Sequence, residues 1–308
     1  MTRLASLLLP ACIAGAMACG ASEGGGAPRT TGATDAGLDA IDSRPAGEAG
    51  APDVVAQDAM TTVDGDSAVE ASSPGVDADH DGIDDALEMT WAAAYLPYLS
   101  IDPGDHCKTH GLLVRVSPHP HEAGRTMIWY DVLYDADCGA NGHVGDDEVF
   151  GVVIHAATPA PAGILAVRAI SHQGTACQQV TTCGRCAGMS ACGTATRAGA
   201  DYPVVYPSLD KHGNYADEPT CAKSIICDFG GCALSPSPDQ PPIVNAGEPG
   251  HPLVDDLTSQ GFVTSANGWT NAALMHFDPW KAGNFGGAGD ISKDLVDESF
   301  VADTTGCP

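Results

Sequence analysis

Cysteine placement constrains this chain more than any other feature. It holds 12 cysteines, and all but Cys12 and Cys19 lie beyond residue 100: Cys107, Cys138, Cys177, Cys183, Cys186, Cys192, Cys221, Cys227, Cys232 and Cys307. An even set of this size belongs in an oxidising compartment, where thiols pair and cross-link loops. The spacing leaves the pairing open. Cys183-x-x-Cys186 with Cys192 can also be read as half a zinc site, but outside the cytoplasm bridges are preferred to metal.

The amino terminus agrees with export. Arg3 supplies a positive charge ahead of an apolar run over residues 4–17, broken by Pro10 and shorter than a membrane span needs. Ala16-Met17-Ala18-Cys19-Gly20 follows, and it resembles the bacterial lipoprotein lipobox, with Ala16 in place of the more usual Leu. Residues 1–18 are therefore read as a signal peptide and Cys19 as the lipidated residue. The expected location is the bacterial cell envelope, at the outer membrane or cell surface, with the lipid as the membrane contact. Formal net charge is -27, which excludes a nucleic-acid footprint and adhesion to anionic lipid but suits divalent cations.

Residues 19–76 are rich in Gly, Ala, Ser, Thr, Asp and Pro and nearly devoid of aromatics. Such a segment cannot bury enough apolar area to offset its ordering entropy, so a disordered acidic tether is expected. Composition changes at 77, where a short calcium loop and helix are expected over 77–100. Leu87, Trp91, Ala94, Tyr95 and Tyr98 suggest an apolar helical stripe disturbed by Pro97. Residues 101–308 read as mainly β. Strand-like runs at 112–116, 126–134, 149–155, 164–170 and 204–206 are separated by Gly, Pro, Asn and Asp clusters. The fold class expected is a two-sheet β-sandwich with long loops stapled by disulfides. Trp269, Phe277 and Trp280 are expected to anchor the Pro- and Gly-rich tail.

Residues 77–88 read Asp-Ala-Asp-His-Asp-Gly-Ile-Asp-Asp-Ala-Leu-Glu. Calcium takes six to eight oxygen ligands, and a twelve-residue loop can wrap it with alternate side chains. Asp77, Asp79 and Asp81 fall at the first, third and fifth positions, and Gly82 at the sharp turn. Ile83 would offer its carbonyl, Asp85 would act directly or through water, and Glu88 would bind with both oxygens. The segment resembles the EF-hand-like aspartate loops of extracellular bacterial proteins. With one copy present, a structural Ca2+ clamp is expected rather than a paired sensor.

A second group lies at 135–148. Asp135 closes one strand-like run; His143, Asp146 and Glu148 open the next, with 146 and 148 on one strand face. Three carboxylates and an imidazole suit Mg2+, Ca2+ or Mn2+ better than zinc. Gly142-His143-Val144-Gly145-Asp146-Asp147-Glu148 keeps the spacing G-H-x-x-D-x-E and resembles the signature of the necrosis- and ethylene-inducing proteins, secreted cytolysins with a central β-sandwich. Gly145 and Asp147 stand where that family has a second His and a Trp. The resemblance implies that Asp135, His143, Asp146 and Glu148 ligate a second divalent cation, with His172 of Ser171-His172 as a neighbour. Pro203-Val204-Val205-Tyr206 and Lys211-His212-Gly213-Asn214-Tyr215 are similar to segments of the vacuolar-sorting-associated proteins and bring His212 to the same site. The likeness spans about residues 95–290, and only these short segments are specific.

By that resemblance the ligand is a glycan or glycolipid head group, with Trp129 or Trp269 as stacking surface if exposed. The alternative is a metal-dependent hydrolase in which Asp135, His143, Asp146 and Glu148 hold the ion and His172 or His212 is the acid or base. A third reading is a structural envelope protein with no small ligand. A deep pocket around His143 with His212 in reach would favour the enzyme; a shallow, aromatic-rimmed site would favour glycan binding; metal ligands splayed apart would favour the structural reading. His106 and His110 are read as loop residues, and His119 and His121 as an exposed turn between Pro118 and Pro120. No nucleophile elbow, phosphate loop or dinucleotide fingerprint occurs.

Overall fold

A computed structural model describes residues 75–107, 109–228, 231–232, 241–256, 278–281 and 290–308. The signal peptide, Cys19, the tether up to residue 74, Trp269 and Phe277 lie outside the described residues. The chain divides into residues 1–66 and 67–308, and every described residue belongs to the second unit. Among the described residues no helix is long and apolar enough to cross a membrane.

Helix α1 (Asp85–Tyr95) begins where the Asp84 carboxylate accepts the Leu87 N–H at 3.0 Å. It ends before Pro97, which forces Leu96 into an extended conformation (ψ 120°). Its inward face is Glu88, Ala92 and Tyr95, whereas Leu87 is 41% exposed. The apolar stripe expected from the sequence is thus rotated, because Glu88 turns into the acidic loop that precedes the helix.

The chain then forms β1 (Tyr98–Leu99), β2 (Thr109–Pro118), β3 (Thr126–Ala136), β4 (Val144–Ile154), β5 (Ile164–Ser171) and β6 (Gln179–Gly184). Next come β7 (Thr194–Arg197), β8 (Ala200–Pro207), β9 (Asn214–Tyr215) and two short helices, α2 (Glu218–Cys221) and α3 (Ile225–Asp228). The tail supplies β10 (Ile243–Asn245), β11 (Gly247–Glu248), β12 (His251–Pro252), α4 (Ile291–Asp294) and a 3-10 turn, Glu298–Phe300. One sheet has six strands in the order β10-β2-β3-β4-β5-β6; the other joins β1, β8 and β7, with β9 beside β8. The protein is mainly β with two principal sheets, as expected.

Strand β3 is buried along nearly its whole length because the six-stranded sheet is covered on both faces. Ile128, Tyr130, Val132, Phe150 and Val152 pack with Val205 of the second sheet and with Ala92 and Tyr95 of α1. Met127, Trp129, Leu133, Val149 and Val153 pack with Ile291, Leu295 and Phe300 of the tail. Burying each such side chain contributes about 1.5–3 kcal/mol. Gly151 admits the tail closely: a Cβ there would lie 2.4 Å from the Phe300 carbonyl oxygen.

Five disulfides join Cys107 to Cys138, Cys177 to Cys227, Cys183 to Cys192, Cys186 to Cys307, and Cys221 to Cys232. Each has at least one end outside the regular elements, and the pairing of Cys183, Cys186 and Cys192 in bridges removes the zinc reading. Each contributes about 2–4 kcal/mol by constraining the unfolded chain. His119 corrects an expectation: it is buried, and its Nδ1 accepts the N–H groups of His121 and Glu122, which fold the turn over it.

Candidate functional site: an acidic loop and an acidic cavity

Residues 77–88 curl around their own carboxylates. Asp77 Oδ2 accepts the Gly82 N–H at 3.1 Å, Asp81 Oδ1 the Ile83 N–H at 2.7 Å, and Asp85 Oδ1 the Ala78 N–H at 3.0 Å. Gly82 has φ 93°, a left-handed value that disfavours any residue with a Cβ. Ligand atoms of Asp77, Asp79 and Asp85 lie within 4.8 Å of one another, as do those of Asp79, Asp81 and Glu88. Asp79 belongs to both groups, which makes it the centre of the loop.

Five of these carboxylate oxygens are buried without a protein donor. Asp79 is 1% exposed and neither carboxylate oxygen has a hydrogen bond; Glu88 is 0% exposed and its Oε1 has none. Asp77 Oδ1 and Asp81 Oδ2 are also buried without a partner. Burial, and then the neighbouring Asp81 charge, push Asp79 up to about 7. Burial, followed by Asp79 and Asp81, pushes Glu88 up to about 9. An uncompensated buried carboxylate costs several kcal/mol, and a hard divalent cation removes that cost. The donor set therefore fits a cation bound by oxygen.

The second group lines a cavity of about 480 Å³ at one end of the six-stranded sheet. Asp146 and Glu148 on β4 stand opposite Tyr134 and Val132 of β3 and share a face. His143 joins them in the lining; Asp135 does not, and Asp137 does. Asp135 lies two residues beyond Leu133, on the face of β3 that meets Asp147, yet it is not among the residues that line the cavity. Asp137 comes after the end of β3, where the chain leaves the sheet and alternation lapses. Its Oδ1 accepts the Gly139 N–H at 2.7 Å, and its Oδ2 pairs with Lys211.

His143 Nδ1 lies 2.7 Å from the Gly145 carbonyl oxygen, and its Nε2 is 3.8 Å from Asp137 Oδ2. Among the described residues, ligand atoms gather in threes within 4.8 Å only in the 77–88 loop.

His212 stands behind the cavity wall. It is 0% exposed, its Nδ1 lies 2.8 Å from Asp146 Oδ2, and its Nε2 lies 3.3 Å from Asp105 Oδ2. Its ring stacks on Tyr134 with centroids 3.7 Å apart. Burial opposes its charge, but its hydrogen bonds to the Asp105 and Asp146 carboxylates win and raise its pKa to about 9. Burial pushes Asp146 upward while His212 pulls against it.

His172 lines the cavity, with its Nε2 2.7 Å from Asp228 Oδ1. Asp228 also accepts Ser208 Oγ and Tyr215 O–H, each at 2.6 Å. Burial would raise Asp228, but these bonds, led by His172, hold it below its ordinary value. The Cys177–Cys227 bridge ties the loop after His172 to α3, which carries Asp228.

Sequence reasoning missed Asp137, Asp147, Lys211 and Asp294, all in the lining. Asp147 takes the opposite face of β4 from Asp146. Burial and the charges of Asp131 and Asp294 push it well above the carboxylate range. Asp137 and Asp147 lie within the 135–148 segment itself, whereas Lys211 and Asp294 come from distant segments and nothing local marks them. Trp129 is corrected as a stacking surface. It is 2% exposed, its Nε1–H donates to the Asp297 carbonyl at 3.1 Å, and Arg115 covers its ring.

No known family profile and no curated protein matches the sequence. Solved structures of toxin-fold proteins of the necrosis- and ethylene-inducing kind show a remote likeness. A toxin fold for microbial attack and plant defense aligns with TM-score 0.29 and 14% identity over 52% of this chain and 74% of that one. NLPPya in complex with glucosamine gives TM-score 0.29 and 16% identity over 52% and 72%; NLPPya in complex with mannosamine gives 0.26 and 14% over 52% and 73%. Similarity of that degree establishes neither a shared ligand nor a shared activity.

Proposed function

We propose that this is an exported, lipid-anchored protein that binds Ca2+ in the 77–88 loop and a glycan or glycolipid head group in the acidic cavity. The observation that carries the calcium reading is the set of buried, donor-less oxygens on Asp79 and Glu88. Asp77, Asp81, Asp85 and the Ile83 carbonyl would complete the ligand set. The chemistry supplied by the ion is charge neutralisation inside the fold.

The cavity reading is supported by the polar lining and by the sequence resemblance at 142–148. Carboxylates accept sugar hydroxyls, and both lining lysines are already occupied: Lys211 by Asp137 and Lys293 by Asp290. Such a cavity suits a polyol and repels an anion. A second cation (Mg2+, Ca2+ or Mn2+) is proposed at Asp146 and Glu148, where ligand hydroxyls would supply the missing oxygens. Export fits five disulfides, and the envelope location and membrane contact follow from the lipid proposed on Cys19.

One observation favours the hydrolase reading. His172 faces the cavity and is oriented by a buried Asp228, the arrangement a general base needs. His212 is unsuited to that role, because it is fully buried and both ring nitrogens are committed to the Asp105 and Asp146 carboxylates.

Calorimetry with Ca2+ should give one tight site that disappears in Asp79→Ala/Glu88→Ala. A glycan array with and without chelator should give hits that Glu148→Gln abolishes. Labelling with a fatty-acid analogue should be lost in Cys19→Ala. An array blank under both conditions would remove the glycan reading.

A further inference from the structure

The calcium loop does not close on itself alone. Its deepest carboxylate, Glu88, receives a hydrogen bond at 2.6 Å from Asn245 Nδ2, the last residue of β10. His80 of the loop meets His251 of β12 edge to face, with ring centroids 4.6 Å apart. Glu248 of β11 stands near enough for its charge to act on both Asp79 and Asp81. Three successive short strands of the tail thus border one loop from the start of the domain.

Apart from the burial of Ala246, the tail segment is held at the sheet edge by short-range ties. Strand β10 has three residues and pairs in parallel with Leu112–Val114 at the outer edge of the six-stranded sheet. Ile243 and Val244 are only half-buried. Additional ties are the Ala246 N–H to the Val114 carbonyl, Trp280 Nε1–H to the Ala246 carbonyl at 2.7 Å, and a two-pronged Arg115–Glu248 pair at 2.8 Å. Arg115 is the cation that faces Glu248; on the loop side Glu248 faces carboxylates. Without a cation in the loop, the charges of Asp79 and Asp81 repel Glu248 across this junction. With a divalent cation the repulsion becomes attraction, and Glu88 is fixed where Asn245 can reach it.

We propose that calcium in the 77–88 loop and docking of residues 243–252 onto the sheet edge are one coupled equilibrium. The proposal rests on the calcium reading above. The loop is then a clamp for the far end of the domain. By reciprocity, loosening the tail segment weakens calcium binding as much as removing calcium loosens the segment.

Two measurements on the full chain test it. Hydrogen exchange with calcium and with chelator should show protection of amides 243–251 falling about tenfold or more on chelation, while β3 and β4 stay protected. Calorimetry of Asn245→Ala should show calcium affinity reduced about tenfold, although Asn245 is proposed as a partner of a ligand and not as a ligand. If calcium binds the wild-type chain but exchange at 243–251 is unchanged and Asn245→Ala binds equally well, the clamp is wrong and the calcium site stands. If no calcium binds at all, the loop reading fails and takes the clamp with it.

Discussion

His212 and Asp146 are joined by a 2.8 Å contact between Nδ1 and Oδ2, in a place where the imidazole has no exposure to solvent. The contact fixes one carboxylate of the cavity from behind, and Asp105 holds the other ring nitrogen. A charged imidazole between two carboxylates makes β4 and the β8–β9 turn one electrostatic unit.

Removing that imidazole should be costly. His212→Ala leaves Asp146 and Asp105 buried without their counter-charge, and a loss of about 3–5 kcal/mol is expected in urea unfolding. The pH dependence has a definite sign. The folded-state pKa of about 9 lies above the ordinary 6.5, so the pair's stabilisation is complete below about 6.5 and is lost as pH rises through about 9. A wild-type urea midpoint that stays flat from about pH 6.5 to about pH 10 would contradict this.

Asp228 should report at the other end of the pH scale. Its folded-state pKa lies below the ordinary 3.8, so its contribution is present above that value and disappears as pH falls through the lower one. Asp228→Asn should lose about 1.5–3 kcal/mol near neutrality, the worth of a hydrogen bond to a charged group, and show a shallower acid transition than the wild type. Denaturation curves at several acidic pH values for both proteins check the difference.

Calcium should raise the melting temperature. At a free concentration one hundred times Kd, a ligand specific for the folded state adds about 2.7 kcal/mol, or about 5–10 °C for a domain of this size. Asp79→Asn should abolish that rise. In chelator the same variant should melt above the wild type, because it removes a charge from a buried acidic cluster. Calorimetric scans of both proteins, with calcium and with chelator, give all four numbers.

The cavity should discriminate by charge. Glu148→Gln and Asp146→Asn should each weaken glycan binding about tenfold or more, whereas Asp135→Asn, which lies outside the lining, should leave it nearly unchanged. Equal losses at 135 and 146 would restore the set expected from sequence spacing. Binding of anionic glycans in preference to neutral ones would contradict the acidic lining.

The sequence by itself determined the mainly β class, the strands at 126–134 and 149–155, the disulfide-bearing loops and the acidic turn at 77–88. Each is a local pattern. Strand runs carry their signal in adjacent side chains, and the ligand atoms of the acidic loop lie within twelve consecutive residues, so folding needs only to curl them. Tertiary structure alone decided the rest. Whether Asp135 or Asp137 enters the cavity depends on where β3 leaves the sheet, a boundary set by pairing with β4. Glu88 turned inward and Leu87 outward because a loop and a distant strand, not the helix's own periodicity, occupy the space beside α1. His212, Lys211, Asp228 and Asp294 reach the cavity region from segments far apart in the chain. No spacing rule within a window can express that, since contact there is fixed by sheet register and by which face the tail covers.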